Sequence, residues 1–165
     1  YGWTPLHYAA LYGHTASMTL LLQHGAKIQA VNKDGSTPLH RAAYKGHTEA
    51  MTVLLQHGAK IQAVTNHGYT PLHIAAENGH TEAMTVLLQH GANMEAVDKD
   101  GSTPLHIAAS KGHTAAMTVL LQHGANIQAV AKDGYTPLHR ASSKGHTAAM
   151  TVLLQHGANI QAVAK

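Results

Sequence analysis

One motif recurs along the whole chain at a fixed spacing of 33 residues and constrains the fold more than any other feature. Each unit opens with Thr-Pro-Leu-His, continues with Gly-His-Thr and closes with Leu-Leu-Gln-His-Gly-Ala. A fixed period of this length is typical of a solenoid, in which a unit buries its apolar face only against its neighbours. The sequence therefore predicts a single repeat domain over residues 1–165, with units at about 1–31, 32–64, 65–97, 98–130 and 131–165.

The second unit shows how one repeat is expected to fold. Residues 33–35 form a Lys-Asp-Gly turn, in which the glycine can adopt a positive φ. Thr37 is a good N-cap and Pro38 a good first residue for a short helix. A second helix is expected from about Thr48 to Gln56, and Gly58 is well suited to end it. Each unit is therefore a turn followed by two helices.

This order of elements at this period resembles the ankyrin repeat. The matching residues in the second unit are Gly35, Thr37 to His40, Ala42, Ala43, Gly46, His47, Leu54, Leu55, Gly58 and Ala59, and the other four units carry equivalents. The resemblance implies an all-α solenoid of stacked helix pairs, with β-turns that project beside the first helices and are called fingers below. It also implies a non-enzymatic scaffold for protein–protein interaction, and it favours an intracellular location.

The composition narrows the classes of function. The chain has no cysteine, which excludes disulfides and cysteine-based zinc sites. Its formal charge of +3, from 11 Lys and Arg against 8 Asp and Glu, is too small to indicate nucleic-acid binding. No run of residues approaches the roughly 18 apolar residues of a membrane-spanning helix. We therefore expect neither a nucleic-acid partner nor membrane insertion of this segment.

Sixteen histidines invite a metal-binding or catalytic interpretation. Fifteen of them, however, recur at three fixed places per unit, as at His40, His47 and His57. Equivalent positions in stacked helices lie about 8–10 Å apart, which is too far for two rings to share one zinc ion. We therefore expect these histidines to be structural, and we predict no catalytic, cofactor or metal site. Only His67 departs from the pattern, at the tip of a finger, and it is a candidate for partner contact.

The positions that differ between units are free for recognition, and they form a compact set. They lie on the fingers and at places on the first helix that share one face, four residues apart. By resemblance to ankyrin repeats, this is the concave binding surface. The predicted partner-binding residues are Trp3, Tyr8, Tyr12, Lys33, Ser36, Arg41, Tyr44, Lys45, Asn66, His67, Tyr69, Ile74, Glu77, Asn78, Lys99, Ser102, Ile107, Ser110, Lys111, Lys132, Tyr135, Arg140, Ser143 and Lys144.

All seven aromatic residues fall in this set or beside it. Aromatic residues and arginine are enriched at interface hot spots, which favours binding over the alternative that these positions are merely unconstrained. The predicted surface runs from an aromatic end, with Tyr8 and Tyr12, to a basic end, with Arg140 and Lys144. A protein partner with an apolar or aromatic segment followed by acidic residues would complement it.

The outermost units have no distinct capping sequence. Solenoids usually carry terminal repeats with a polar outer face, whereas the last unit is as apolar as the internal ones and the two termini are in register. Three explanations are open: a segment of a longer array, an engineered or recently duplicated array, or copies that stack head to tail into a filament. The third predicts a structural, self-assembling protein. Its predicted end-stacking residues are Tyr1, Trp3, Ala149, Met150, Leu153 and Leu154.

Overall fold

The computed structural model describes residues 1–164, and it confirms the predicted all-α fold. Within this range the chain forms ten α-helices and no strand. The helices are α1 (Pro5–Leu11), α2 (Thr15–Gln23), α3 (Pro38–Lys45), α4 (Thr48–Gln56), α5 (Pro71–Asn78), α6 (Thr81–Gln89), α7 (Pro104–Lys111), α8 (Thr114–Gln122), α9 (Pro137–Ser143) and α10 (Thr147–Gln155). Each repeat thus contributes one odd-numbered first helix and one even-numbered second helix.

Each first helix begins at the Thr-Pro-Leu-His motif because the motif satisfies its own backbone donors. In α5, the hydroxyl of Thr70 accepts a hydrogen bond from the N–H of His73, at 3.3 Å. His73 Nδ1 in turn accepts from the N–H of Thr70, at 3.2 Å, which completes a capping box. Pro71 occupies the first turn, where a missing N–H costs nothing. The helix ends at Gly79, whose φ of +71° is a left-handed conformation that glycine adopts readily.

The repeats stack into two layers of helices. First helices pack against the first helices of neighbouring repeats, second helices pack against second helices, and the two helices of one repeat pack together. The core between the layers is built from small and large side chains in turn, such as Ala76, Ala83, Met84 and Leu87, all fully buried. Burying a Leu or Met side chain contributes about 1.5–3 kcal/mol. Much of that burial comes from adjacent repeats, so one repeat depends on the next.

Two histidines in each internal repeat connect it to both neighbours. His73 Nε2 donates to the carbonyl oxygen of Ser102 in the following repeat, at 3.1 Å. His80 Nε2 bonds to the carbonyl oxygen of Tyr44 in the preceding repeat, at 3.0 Å. Because His73 Nδ1 accepts a hydrogen bond from Thr70, its Nε2 must carry the proton of the neutral ring. These rings therefore join the repeats through backbone acceptors, as the structural interpretation of the histidines expected.

The buried histidines of the first helices are held neutral. Burial lowers the pKa of His7, His73 and His106 below the ordinary value, and lowers that of His40 to about 4. A neutral ring suits the capping box, since a protonated ring has no lone pair to accept from the threonine N–H. The third repeated histidine, as at His90, is exposed, and its Nδ1 bonds to the carbonyl oxygen four residues earlier, at 2.8 Å.

The last repeat shows what is lost without a following neighbour. Leu138 and Met150 are half-buried, whereas their equivalents in the other four repeats are at most 1% exposed. Ala149 and Leu153, which were predicted to take part in end stacking, are fully buried inside the chain. Their burial comes from the repeats that precede them, so they do not lie on the open face. Leu154, by contrast, is 39% exposed.

Candidate protein-binding surface

The fingers form a continuous, hydrogen-bonded row. In the second finger, the side-chain oxygen of Asn32 accepts from the N–H groups of Asp34 and Ser36, at 3.0 and 2.9 Å. The turn closes at Gly35, with φ +76°. The N–H of Asn66 in the third finger donates to the carbonyl oxygen of Asp34, at 2.9 Å. This row holds the finger side chains at fixed places beside the first helices.

A groove of about 510 Å³ lies between the second, third and fourth fingers and α5. It brings together predicted residues that are distant in sequence: His67, Tyr69 and Lys99 from the fingers, with Ile74 and Glu77 from the helix. The complete lining is Asp34, Ser36, Thr65, His67, Tyr69, Ile74, Glu77, Lys99 and Asp100. Residues from three consecutive repeats therefore form one continuous concave site.

Three lining residues were absent from the predicted set, namely Asp34, Thr65 and Asp100. Asp34 and Asp100 occupy the same turn position in their repeats, so a comparison between repeats assigns them to the fold. The side chain of Asp34 is nevertheless 70% exposed. An acidic residue on an exposed turn was the signal that could have identified these positions.

The other predicted residues divide by exposure. Tyr8, Tyr12 and Tyr44 are 42–59% exposed. Ser36 and Ser102 are buried at 5% and 4%, because each lies under its finger with its carbonyl oxygen bonded to the preceding histidine. Lys33, Lys45, Asn66, Lys111, Lys132, Ser143 and Lys144 are exposed, and Trp3, Arg41, Asn78, Ile107, Ser110, Tyr135 and Arg140 are intermediate.

Ser102 does not line the groove, and Ser36 lines it with little exposed surface. We define the finger–helix surface as the predicted residues without these two serines, and with Asp34, Thr65 and Asp100 added. The definition keeps the fingers and the outer positions of the first helices as one surface.

Carboxylates of the fingers neutralise two cations that the sequence assigned to partner binding. Arg140 lies 2.8 Å from a carboxylate oxygen of Asp133. Arg41 lies 3.4 Å from Asp34, and its side chain is only 17% exposed. These arginines are therefore bound within the chain, and the basic character predicted for this end of the surface is weaker than the sequence suggested.

Lysines supply the remaining positive charge of the first helices. Lys111 is paired with Glu77 at 3.1 Å. Lys45 and Lys144 are exposed and form no ion pair within residues 1–164. The ammonium of Lys45 lies 5.3 Å from the centre of the Tyr44 ring, where a cation–π contact is favourable. Among the cations of the first helices, these two lysines have no carboxylate partner within residues 1–164.

The aromatic rings on the fingers are packed against their own chain. Trp3 lies 5.0 Å from the Tyr8 ring, and the guanidinium of Arg41 lies 4.5 Å above the Trp3 ring. The rings of Tyr69 and His73 stack at 5.5 Å. Such contacts fix the rings in one orientation, which lowers the entropy cost of binding through them. Trp3, predicted for both partner binding and end stacking, is therefore held within the first two repeats.

Tyr69 forms one wall of the groove and remains protonated. Burial, together with the negative charges of Glu77, Asp98 and Asp100, raises the pKa of Tyr69 to about 12. Its hydroxyl therefore keeps its proton at neutral pH and can donate a hydrogen bond to an acceptor in the groove.

Two other kinds of site are absent from the described residues. Within residues 1–164 no group of three or more His, Cys, Asp or Glu side chains is arranged to hold a metal ion. No helix of that range is long and apolar enough to cross a membrane.

Comparison with known families agrees with the fold and the repeat period. The ankyrin repeat matches residues 1–33, and a pattern of three consecutive ankyrin repeats matches residues 26–98 and 91–164. A search of curated proteins gave no match. Because the matches extend over almost the whole sequence, this chain belongs to the ankyrin-repeat family, whose members are generally protein–protein interaction modules and typically not enzymes.

Proposed function

We propose that this chain is a non-enzymatic scaffold that binds another protein along the finger–helix surface. The observation that carries the proposal is the groove of about 510 Å³, in which residues that vary between repeats converge from three repeats. Ile74 and Tyr69 give the groove an apolar and aromatic part, and His67, Lys99 and Asp100 give it a polar rim. An apolar centre with a polar rim is the usual composition of a protein-binding site.

We expect the partner to carry an apolar or aromatic segment and acidic residues. The exposed rings of Tyr8, Tyr12 and Tyr44 would receive the apolar segment. The acidic residues would meet Lys45 and Lys144, since the arginines already have carboxylate partners. Exposed charge pairs at a rim contribute little affinity but accelerate association. The apolar contacts should therefore carry most of the binding free energy.

A display library of random peptides, selected for binding to the chain, tests the proposed surface. Ile74→Ala removes part of the apolar wall and His67→Glu adds a charge at the rim, so the pair should weaken selected peptides at least about tenfold. Glu82→Lys, on the exposed side of α6, is the matched control and should leave the affinity unchanged. Circular dichroism checks that each variant is folded. Peptides that lose affinity for the control, and not for the groove variant, would place binding on the second helices and refute the proposal.

The charge of the partner is tested separately with Lys45→Glu combined with Lys144→Glu. Peptides selected for acidic residues should bind this variant about fivefold more weakly at low salt, and the difference should shrink as salt is added. Lysines are preferable to Arg41 and Arg140 for this test, because reversing a paired arginine would also place two carboxylates together. An unchanged affinity at low salt would remove the acidic residues from the expected partner.

Head-to-tail self-assembly is the alternative function. The rings of His14 and His139 form no inter-repeat hydrogen bond within residues 1–164, although their equivalents in other repeats do. Met150 and Leu154 also retain partial exposure on the last repeat. A second copy would supply the missing neighbours. Ser17 and Ser142, which are exposed on the same end repeats, oppose this alternative.

A further inference from the structure

We propose that Ser17 and Ser142 disfavour the stacking of a second copy of this chain on its two open faces. An open face is the side of the first or the fifth repeat that has no neighbouring repeat among these 165 residues. The proposal rests on which positions are buried between repeats and on which residues occupy them at the two ends.

The positions that stacking buries have nearly constant residues. In the third repeat they are Thr70, Pro71, Leu72, His73, Ala75, Ala76, Ala83, Met84, Leu87 and Ala92. Each of these positions carries the same residue in all five repeats, with two exceptions. Both exceptions replace alanine with serine, and each occurs in an outermost repeat.

The first exception lies on the second helix of the first repeat. Ser17 is exposed, whereas its equivalents Ala50, Ala83, Ala116 and Ala149 have no exposed surface. Ala149 is fully buried in the last repeat, so this position is covered by the repeat that precedes it. The first repeat is the one with no preceding repeat among these 165 residues, and it is the one that carries serine.

The second exception is the mirror case on the first helix of the fifth repeat. Ser142 is exposed, whereas its equivalents Ala10, Ala43, Ala76 and Ala109 have no exposed surface. Ala10 is fully buried in the first repeat, so this position is covered by the repeat that follows it. The fifth repeat has no following repeat among these 165 residues, and here the alanine is again replaced.

Stacking one copy on another would bury both hydroxyls in the same interface. Ser142 of one copy and Ser17 of the next would enter positions that elsewhere hold fully buried alanines. Within residues 1–164 neither hydroxyl bonds to another protein group, so water satisfies both. Burying a hydroxyl without a new partner weakens association by about tenfold or more. Leu138 and Met150 keep the open face otherwise equivalent to an internal one.

The test measures self-association of the 165-residue chain by light scattering during size-exclusion chromatography, from low to high micromolar concentration. The unmodified chain should remain monomeric. Ser17→Ala and Ser142→Ala should each tighten association about tenfold, and the double variant about a hundredfold. Gln155→Ala is the matched control, because it truncates a polar side chain of the same repeat as Ser142 at a position that is exposed in all five repeats, so it should change nothing.

Two results would overturn the proposal. One is a double variant that remains as monomeric as the unmodified chain at every concentration. The other is an unmodified chain that already associates as strongly as the double variant. Ala109→Ser provides an independent check, since it places the same hydroxyl in an internal interface. Its urea midpoint should fall below that of the unmodified chain, and an unchanged midpoint would show that the stack tolerates the hydroxyl.

Discussion

The third and fifth repeats share the Thr-Pro-Leu-His motif and most of their core residues but have different surroundings. His73 bonds to the carbonyl oxygen of Ser102 in the next repeat, whereas His139 has no such acceptor within residues 1–164. Leu72 is 1% exposed, and the equivalent Leu138 is half-buried. The contribution of a residue to stability is therefore set by its neighbours as much as by its identity, as expected when stability is a sum of repeat and interface energies.

The largest expected difference between these repeats is in how much their core leucines contribute to the free energy of unfolding. Leu72→Ala should lower the free energy of unfolding by about 3–5 kcal/mol, since it leaves a cavity beside the following repeat. Leu138→Ala should cost about half as much, because water already reaches that side chain. Urea unfolding followed by circular dichroism measures both. Equal losses would mean that the open face is as well packed as an internal interface.

The buried His40 of the second repeat should make the stability of the fold sensitive to acid. The ordinary histidine pKa is 6.5, and burial lowers that of His40 to about 4. Between these values the unfolded chain binds a proton that the folded chain does not, so stability rises with pH through this window. The contribution is complete above about pH 6.5 and is lost as the pH falls toward about 4. For His40 it amounts to about 3 kcal/mol.

His40→Gln tests this, since glutamine also serves in a capping box. The variant should show a smaller loss of stability between pH 7 and pH 5 than the unmodified chain, measured by urea midpoints at each pH. His67→Gln at the finger tip is the control for losing an exposed imidazole. An identical loss in His40→Gln and the unmodified chain would assign the acid sensitivity to other groups.

The smallest expected difference is in the cost of placing alanine at two glycines that have the same backbone conformation. Gly46 and Gly145 have φ of +71° and +70°, so alanine at either site should cost about 1–2 kcal/mol. A Cβ at Gly46 would also lie 2.8 Å from the His80 ring, whereas one at Gly145 would meet nothing within 4 Å. Gly46→Ala should therefore be more destabilising than Gly145→Ala by about 1 kcal/mol, measured by thermal unfolding. Equal midpoints would show that the His80 ring moves without cost.

The fold could be predicted from the sequence because its determinants are local and repeated. Threonine at the cap, proline in the first turn and glycine at the end define each first helix without reference to distant residues. The same motif occurs five times at one spacing, so the stack follows from the period. The structural role of the histidines could be predicted for the same reason.

The site could be predicted only in part because side-chain contacts between elements have no local pattern. The sequence placed the fingers and the outer helix positions together, but it treated Arg140 as free when it is paired with Asp133. It also treated Ser102 as accessible, although Ser102 is only 4% exposed and does not line the groove. The replacement of alanine at Ser142 was visible in the sequence, but its position on an open face required the structure.

The histidine bonds between repeats have a consequence for the register of a bound partner. The link from His40 to Tyr69 is repeated, with nearly the same length, from His73 to Ser102 and onward. Identical links give each repeat nearly the same rotation and translation relative to the last. A partner with periodic contacts therefore meets the same step at every repeat and could slide by one unit without a geometric penalty. Only the residues that differ between repeats can hold it at one place along the stack.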